Sequence, residues 1–200
     1  MNAPPGPPKA RAILKAAERL FLQFGFRRTA MDDIARAAGV AKGTLYLYFN
    51  SKEAVFRTLQ ARLHAEIITE AEAALATRGA FADRLFRVLY ALHGELLARF
   101  GGSEHLLELV EARDRLDHEG AEALKAEHQA ILVRLFSEAD ASGEIDLTGG
   151  GLSAEVCAAA ASAAAVGAKP QPGGQGAVEA YAARLREVAA VLAAAVRKAG

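Results

Sequence analysis

Met31-Asp32-Asp33-Ile34-Ala35-Arg36-Ala37-Ala38-Gly39-Val40-Ala41-Lys42-Gly43-Thr44-Leu45 is the stretch that decides the fold. Its apolar and small residues stand where two short helices crossing at a steep angle need them. Ala35 permits close approach of the second helix, Gly39 supplies the positive φ of the turn, and Ile34, Val40 and Leu45 fill the wedge. The pattern is that of a helix-turn-helix, and any small three-helix packing uses it too. Upstream, Ile13, Leu14, Ala17, Leu20, Phe21 and Phe24 recur at spacings of three and four, which predicts a first helix over 9–24 with Gly25 as a left-handed cap. Thr29-Ala30-Met31-Asp32 reads as a capping box opening the second helix. The third helix is expected over 42–48. Ser51-Lys52-Glu53 opens a long fourth helix towards Arg78, which Gly79 breaks.

The residues that follow the turn are more specific. Lys42-Gly43-Thr44-Leu45-Tyr46-Leu47-Tyr48-Phe49-Asn50-Ser51-Lys52-Glu53 resembles the recognition-helix signature of the TetR/AcrR family of transcriptional regulators, and the resemblance covers about residues 10–57. It implies that Lys42, Gly43, Thr44 and Tyr46 face the major groove of double-stranded DNA or its walls, and that Tyr48 and Lys52 hold phosphates. Leu45 and Phe49 should point into a three-helix core. Physical chemistry agrees, because a second helix in the groove presents its N-terminal residues to base edges while hydroxyls and ammonium groups hold phosphates. Thr29 is expected to cap the second helix and touch phosphate. Ala41 departs from the serine or threonine common in the family, so the third helix lacks a side-chain cap worth about 0.5–2 kcal/mol.

Charge is distributed to match. The 200 residues carry 24 Lys/Arg and 24 Asp/Glu, yet residues 1–62 have a net charge of +7 and residues 63–200 one of −7. A basic front end steers towards DNA and makes binding fall with salt. Hydrophobic residues at 52% and charged ones at 24% are those of an ordinary globular protein. A lone Cys157 excludes an intramolecular disulfide and a Cys-rich zinc site. The longest charge-free apolar run, 156–168, is too short for a bilayer span. No secretory signal is evident, so a cytoplasmic location is expected. The proline-rich start, 1–8, reads as a flexible arm.

All six prolines lie at positions 4, 5, 7, 8, 170 and 172, and 47 residues are alanine, so the chain reads as all-α. The expected organisation is a helix-turn-helix DNA-binding domain over 9–57 and a helical-bundle regulatory domain over 58–200. Further helices are expected near 81–100, 103–114, 117–141, 152–167 and 176–198. One recognition helix reads few base pairs, so a palindromic site bound by a homodimer is expected. Val178, Tyr181, Leu185, Val188 and Leu192 step by three and four along the last helix, and the resemblance implies a four-helix dimer interface there; the same spacing also suits an intramolecular core seam. The resemblance further implies a pocket for a small-molecule effector, with Phe86, Tyr90, His93, Phe100, His105 and His128 as candidate lining.

An enzyme of the helical-bundle class is the competing reading. Di-iron bundles use Glu-x-x-His pairs, and none of the five histidines has a glutamate three residues before it. No His-Glu-x-x-His, Gly-x-Ser-x-Gly or Gly-rich phosphate loop occurs either. No catalytic residue, metal or cofactor is expected. The sequence points to a ligand-responsive repressor, with an activator or ligand-independent regulator as the alternative on the same fold.

Overall fold

The computed structural model describes residues 8–101, 103–170 and 176–198, and the arm expected over 1–8 lies outside it except for Pro8. Among the described residues there are ten α-helices and no strand. They are α1 (Pro8–Arg28), α2 (Met31–Ala38), α3 (Lys42–Tyr48), α4 (Lys52–Leu75), α5 (Phe81–Leu89), α6 (Glu95–Phe100), α7 (Leu106–Leu116), α8 (His118–Ala141), α9 (Ala154–Gly167) and α10 (Ala177–Ala195). The single helix expected over 81–100 is divided by a π-helical turn at Tyr90–Gly94. The chain forms two compact units, one of Met1–Ala65 with Ser103–Glu122, the other of Glu66–Gly102 with Ala123–Gly200.

The first unit is built around the packing of α3 against α2 across the Gly39 turn. Ile34, Ala35 and Leu45 are buried at the wedge, and Gly39 takes φ 67°, ψ 32°, the left-handed geometry that glycine adopts without a Cβ penalty. α1 packs Ile13, Leu14, Ala17, Leu20 and Phe21 against them, and α4 adds Val55 and Phe56. Phe21, Phe26 and Phe56 meet with ring centroids 5.0–5.6 Å apart, pairs worth about 0.5–1.5 kcal/mol each beyond burial. Phe24, the last member of the expected stripe, is exposed instead, because the helical path ends at Gly25. Gly25 is not the expected left-handed cap: its φ of 81° and ψ of 164° fall in a region almost confined to glycine.

The returning segment, α7, completes this core. Leu109 and Ala112 bury themselves in the same cluster as Phe21 and Phe56, although the sequence reading left residues 103–122 with the regulatory domain. The Glu108 carboxylate accepts the Arg27 N–H at 2.8 Å, and the Ser103 hydroxyl donates to the Leu22 carbonyl at 2.6 Å. These bonds satisfy backbone groups left over where α1 breaks.

The second unit packs α5 and α10 face to face. Leu85, Leu89, Leu135, Tyr181 and Leu185 are fully buried, with Phe81 edge-on to Phe136 at 5.2 Å. Ala158, Ala161 and Ala165 line one face of α9 with no exposed surface, and the Tyr181 hydroxyl donates to the Ala165 carbonyl at 2.7 Å. Small side chains let the α9 backbone come close enough for that bond. Cys157 is buried beside them, and burial pushes its thiol above the ordinary cysteine value, the behaviour of a small core residue. No described helix is long and apolar enough to cross a membrane.

Candidate nucleic-acid interface

The exposed face of α3 is set by which residues the wedge consumes. Leu45 and Phe49 are buried, as their place in the signature implied, Thr44 is half-buried, and the side chains left outside are those of Lys42, Tyr46, Leu47 and Tyr48. Tyr46 is 45% exposed and Tyr48 39%, both in the open although a core would readily take either ring. Gly43 has nothing within 4 Å of the place where a Cβ would stand, and its φ is not positive. No packing or backbone requirement inside the protein accounts for this glycine. Its bare backbone is free for a partner from outside.

Lys42 donates from Nζ to Asp32 Oδ2 at 3.0 Å, which ties the start of α3 to the start of α2. The hydrogen bond and charge of Asp32 raise the lysine above its ordinary value, so the ammonium stays charged. Ala41 precedes α3 without a side-chain cap, as its methyl dictates. Arg27, Arg28 and Arg36 are exposed and add positive charge to the unit.

Two sequence-predicted contacts lie elsewhere. Thr29 is only 3% exposed and its hydroxyl donates to the Gly25 carbonyl at 2.8 Å, so it neither caps α2 nor meets solvent. The residue at the cap position is Ala30, and Asp33, three residues on, accepts the Ala30 N–H at 3.4 Å. Half of a capping box is present, shifted by one residue. Lys52 donates from Nζ to the carbonyls of Phe26 at 2.7 Å, Thr29 at 2.9 Å and Arg27 at 3.3 Å, and lies 4.5 Å from the Phe26 ring centroid. Its donors are committed to the carbonyls of the α1–α2 connection, a positioning task.

Leu47 is the residue the sequence reading missed. It is 86% exposed. The helical phase alone would have found it, because a residue two places from Leu45 in a helix points away from the Leu45 side.

In the second unit, Phe86 and Tyr90 meet at 5.9 Å with their ring planes tilted by 40°, and the Arg186 guanidinium lies 3.9 Å over the Phe86 ring. His93 sits in the π turn and meets His128 edge-on at 5.5 Å, both buried. Burial first, and the neighbouring His128 and Lys169 after it, push His93 down to about 3, so it is neutral at physiological pH. Its Nε2 has no hydrogen-bond partner among the described residues. Phe100 also belongs to this unit, whereas His105 belongs to the first, where its Nδ1 is 3.7 Å from Glu108.

Of the expected dimer residues, Tyr181 and Leu185 are fully buried in their own protomer, and Val178, Val188 and Leu192 are half-buried. Tyr181 and Leu185 thus lie on the face α10 turns to its own core, one of the two readings the spacing had left open, while Val178, Val188 and Leu192 keep part of their surface outside it. The outward apolar surface is different: Val156, Ala159, Ala163 and Val166 on α9, and Val191 on α10.

Two short helices packed across a left-handed glycine turn, the second exposed and glycine-bearing on a unit with exposed arginines, define a helix-turn-helix DNA-binding protein. Residues 13–59 match the family model described as bacterial regulatory proteins, tetR family. The chain is 32% identical over 143 residues to the fatty acid metabolism regulator protein of Bacillus subtilis, covering 69% of this chain and 71% of that one. It is 36% identical over 84 residues to the HTH-type transcriptional regulator YhgD of the same species, where the match covers 42% of this chain and only 44% of that protein. The fold is shared with the regulator FadR of Bacillus subtilis in complex with stearoyl-CoA, at a TM-score of 0.64 and 22% identity over 94% of this chain and 99% of that one. The chain belongs to the TetR family of bacterial transcriptional regulators, not to a family of enzymes.

Proposed function

We propose that the chain is a cytoplasmic, ligand-responsive repressor that binds a palindromic operator as a homodimer. The observation that carries this is the exposed face of α3, where Gly43 has open space at its Cβ position and Tyr46 and Tyr48 turn part of their rings to solvent. Lys42, Gly43, Thr44, Tyr46 and Tyr48 meet DNA in this reading, while Thr29 and Lys52 hold the α1–α2 connection in place. The effector binds around Phe86, Tyr90, His93 and His128, with Phe100 close by in the sequence of the same unit; His105, held at Glu108, serves the first unit. α4 has residues in both units, and an effector that binds one arrangement of the dimer better changes the spacing of the two recognition helices through it.

Fluorescence-anisotropy titration onto DNA upstream of the chain's own gene, against scrambled DNA and across a salt series, tests the reading. Tight, steeply salt-dependent binding to the native DNA alone is expected. Equal weak binding to both, repeated with DNA selected from a random library, would refute it. Stearoyl-CoA is the first effector to add, because one relative is named for fatty acid metabolism and the FadR neighbour was solved in complex with stearoyl-CoA.

The dimer forms through the outward face of α9 and α10. Val191 is 68% exposed and Val156 57%, so glutamate at Val191 leaves the fold intact and places a charge in the interface. Sedimentation velocity is expected to show dimer for the parent and monomer for Val191→Glu at micromolar concentration. A persistent dimer moves the interface elsewhere. Charge at Leu185 would not serve, since that side chain is fully buried and its replacement would unfold the second unit.

A further inference from the structure

The face of α3 is unusual for what it lacks. Direct readout of guanine uses arginine or lysine, and readout of adenine uses asparagine or glutamine, each making two hydrogen bonds to one base. α3 reads Lys42-Gly43-Thr44-Leu45-Tyr46-Leu47-Tyr48, with no arginine, asparagine or glutamine, and its single lysine is already paired with Asp32. What it presents instead is hydroxyl groups and one protruding aliphatic side chain.

That side chain is Leu47. At about 100° per residue it lies about 200° from Leu45, on the side opposite the buried anchor. Gly43 stands one turn before it on the same side, where open space surrounds the missing Cβ. The outermost line of the helix is thus a bare backbone followed by an isobutyl group 86% exposed, flanked by two half-exposed tyrosines on a unit of positive charge. A leucine left in water at the crest of a DNA-facing helix gains nothing for the fold.

We propose that Leu47 is a specificity-determining residue that reads the C5-methyl group of a thymine in the major groove of each half-site. The inference rests on the DNA-binding reading above and adds the base that this helix selects. Thymine is the one DNA base that offers an apolar group in the major groove, and an aliphatic side chain discriminates it from cytosine by burying that methyl. Glycine one turn earlier lets the helix sink far enough for a side chain of leucine's length to reach it.

The test uses the full chain. A binding site is selected from random duplex DNA, and each thymine of the half-site is then replaced by deoxyuridine, which removes only the methyl. For the parent protein, one thymine under α3 is expected to lose about fourfold in affinity per half-site, the value of one buried methyl-sized group. For Leu47→Ala that loss should vanish at the same position while the other thymines respond as before, and the melting temperature should be unchanged because the side chain is exposed. A deoxyuridine profile identical for parent and variant, or a selected half-site with no thymine under α3, overturns the proposal while leaving the regulator intact. If the parent enriches no sequence at all, the regulator reading itself fails and Leu47 falls with it.

Discussion

Replacing Gly43 with alanine is expected to make the protein more stable and to weaken its binding to its operator. Glycine inside a helix costs about 0.5–1 kcal/mol relative to alanine, and Gly43 has a helical backbone with empty space at the Cβ position. The folded protein should therefore gain up to that amount, visible as a small rise in the thermal midpoint. DNA affinity should move the opposite way. A methyl on the outermost line of α3 holds the helix off the groove and weakens the contacts of Tyr46 and Leu47 together, so a loss of about tenfold, or about 1.4 kcal/mol, is expected by anisotropy. A stability gain with unchanged affinity would mean that α3 does not enter the groove at Gly43.

The same substitution at Gly25 should act on the fold alone. Its φ of 81° and ψ of 164° are costly for any residue with a Cβ, and that Cβ would collide with the Glu108 carboxylate, which accepts the Arg27 N–H. Strain of about 1–3 kcal/mol and a disturbed charged hydrogen bond together give a destabilisation of about 2–4 kcal/mol. For a chain of this length that is a drop of roughly 5–15 °C in the midpoint, measurable by calorimetry or circular dichroism. Glu108 swinging aside would preserve the midpoint, and that result would show the α1 break to be adaptable. Two glycines in one unit are thus expected to answer to different partners, Gly25 to the fold and Gly43, in the proposed function, to DNA.

The α2–turn–α3 wedge was legible because its information is local. Ile34, Ala35, Gly39 and Leu45 specify one another within a dozen residues, and the family signature begins where the wedge ends. Legibility failed where partners are distant in sequence. Lys52 looks like a phosphate ligand until its three carbonyl acceptors, 23–26 residues upstream, are in view. Thr29 looks like a cap because nothing in the sequence announces that its hydroxyl is taken by the Gly25 carbonyl. On α10 the spacing of Tyr181, Leu185 and Leu192 is the same for a seam within one protomer and a seam between two, so only burial against α5 and α9 distinguishes them. The π turn at Tyr90–Gly94 ends on Gly94, a poor helix former whose missing Cβ leaves the room that the Tyr90 ring takes, a contact that the helical periodicity of 81–100 does not announce. Leu47 is the opposite case, since its exposure follows from local helical phase alone, two residues from the buried Leu45.

The docking of α7 onto α1 also sets an order of events during synthesis. Phe21, Phe26 and Phe56 leave the ribosome well before Leu109 and Ala112, and at about 5–20 residues per second several seconds separate them. Throughout that interval the nascent chain holds an aromatic surface with its covering segment not yet translated. A chain that stalls or is cleaved before residue 106 would thus release a sticky fragment rather than a small working regulator, and protection by a holding chaperone would matter most in that window.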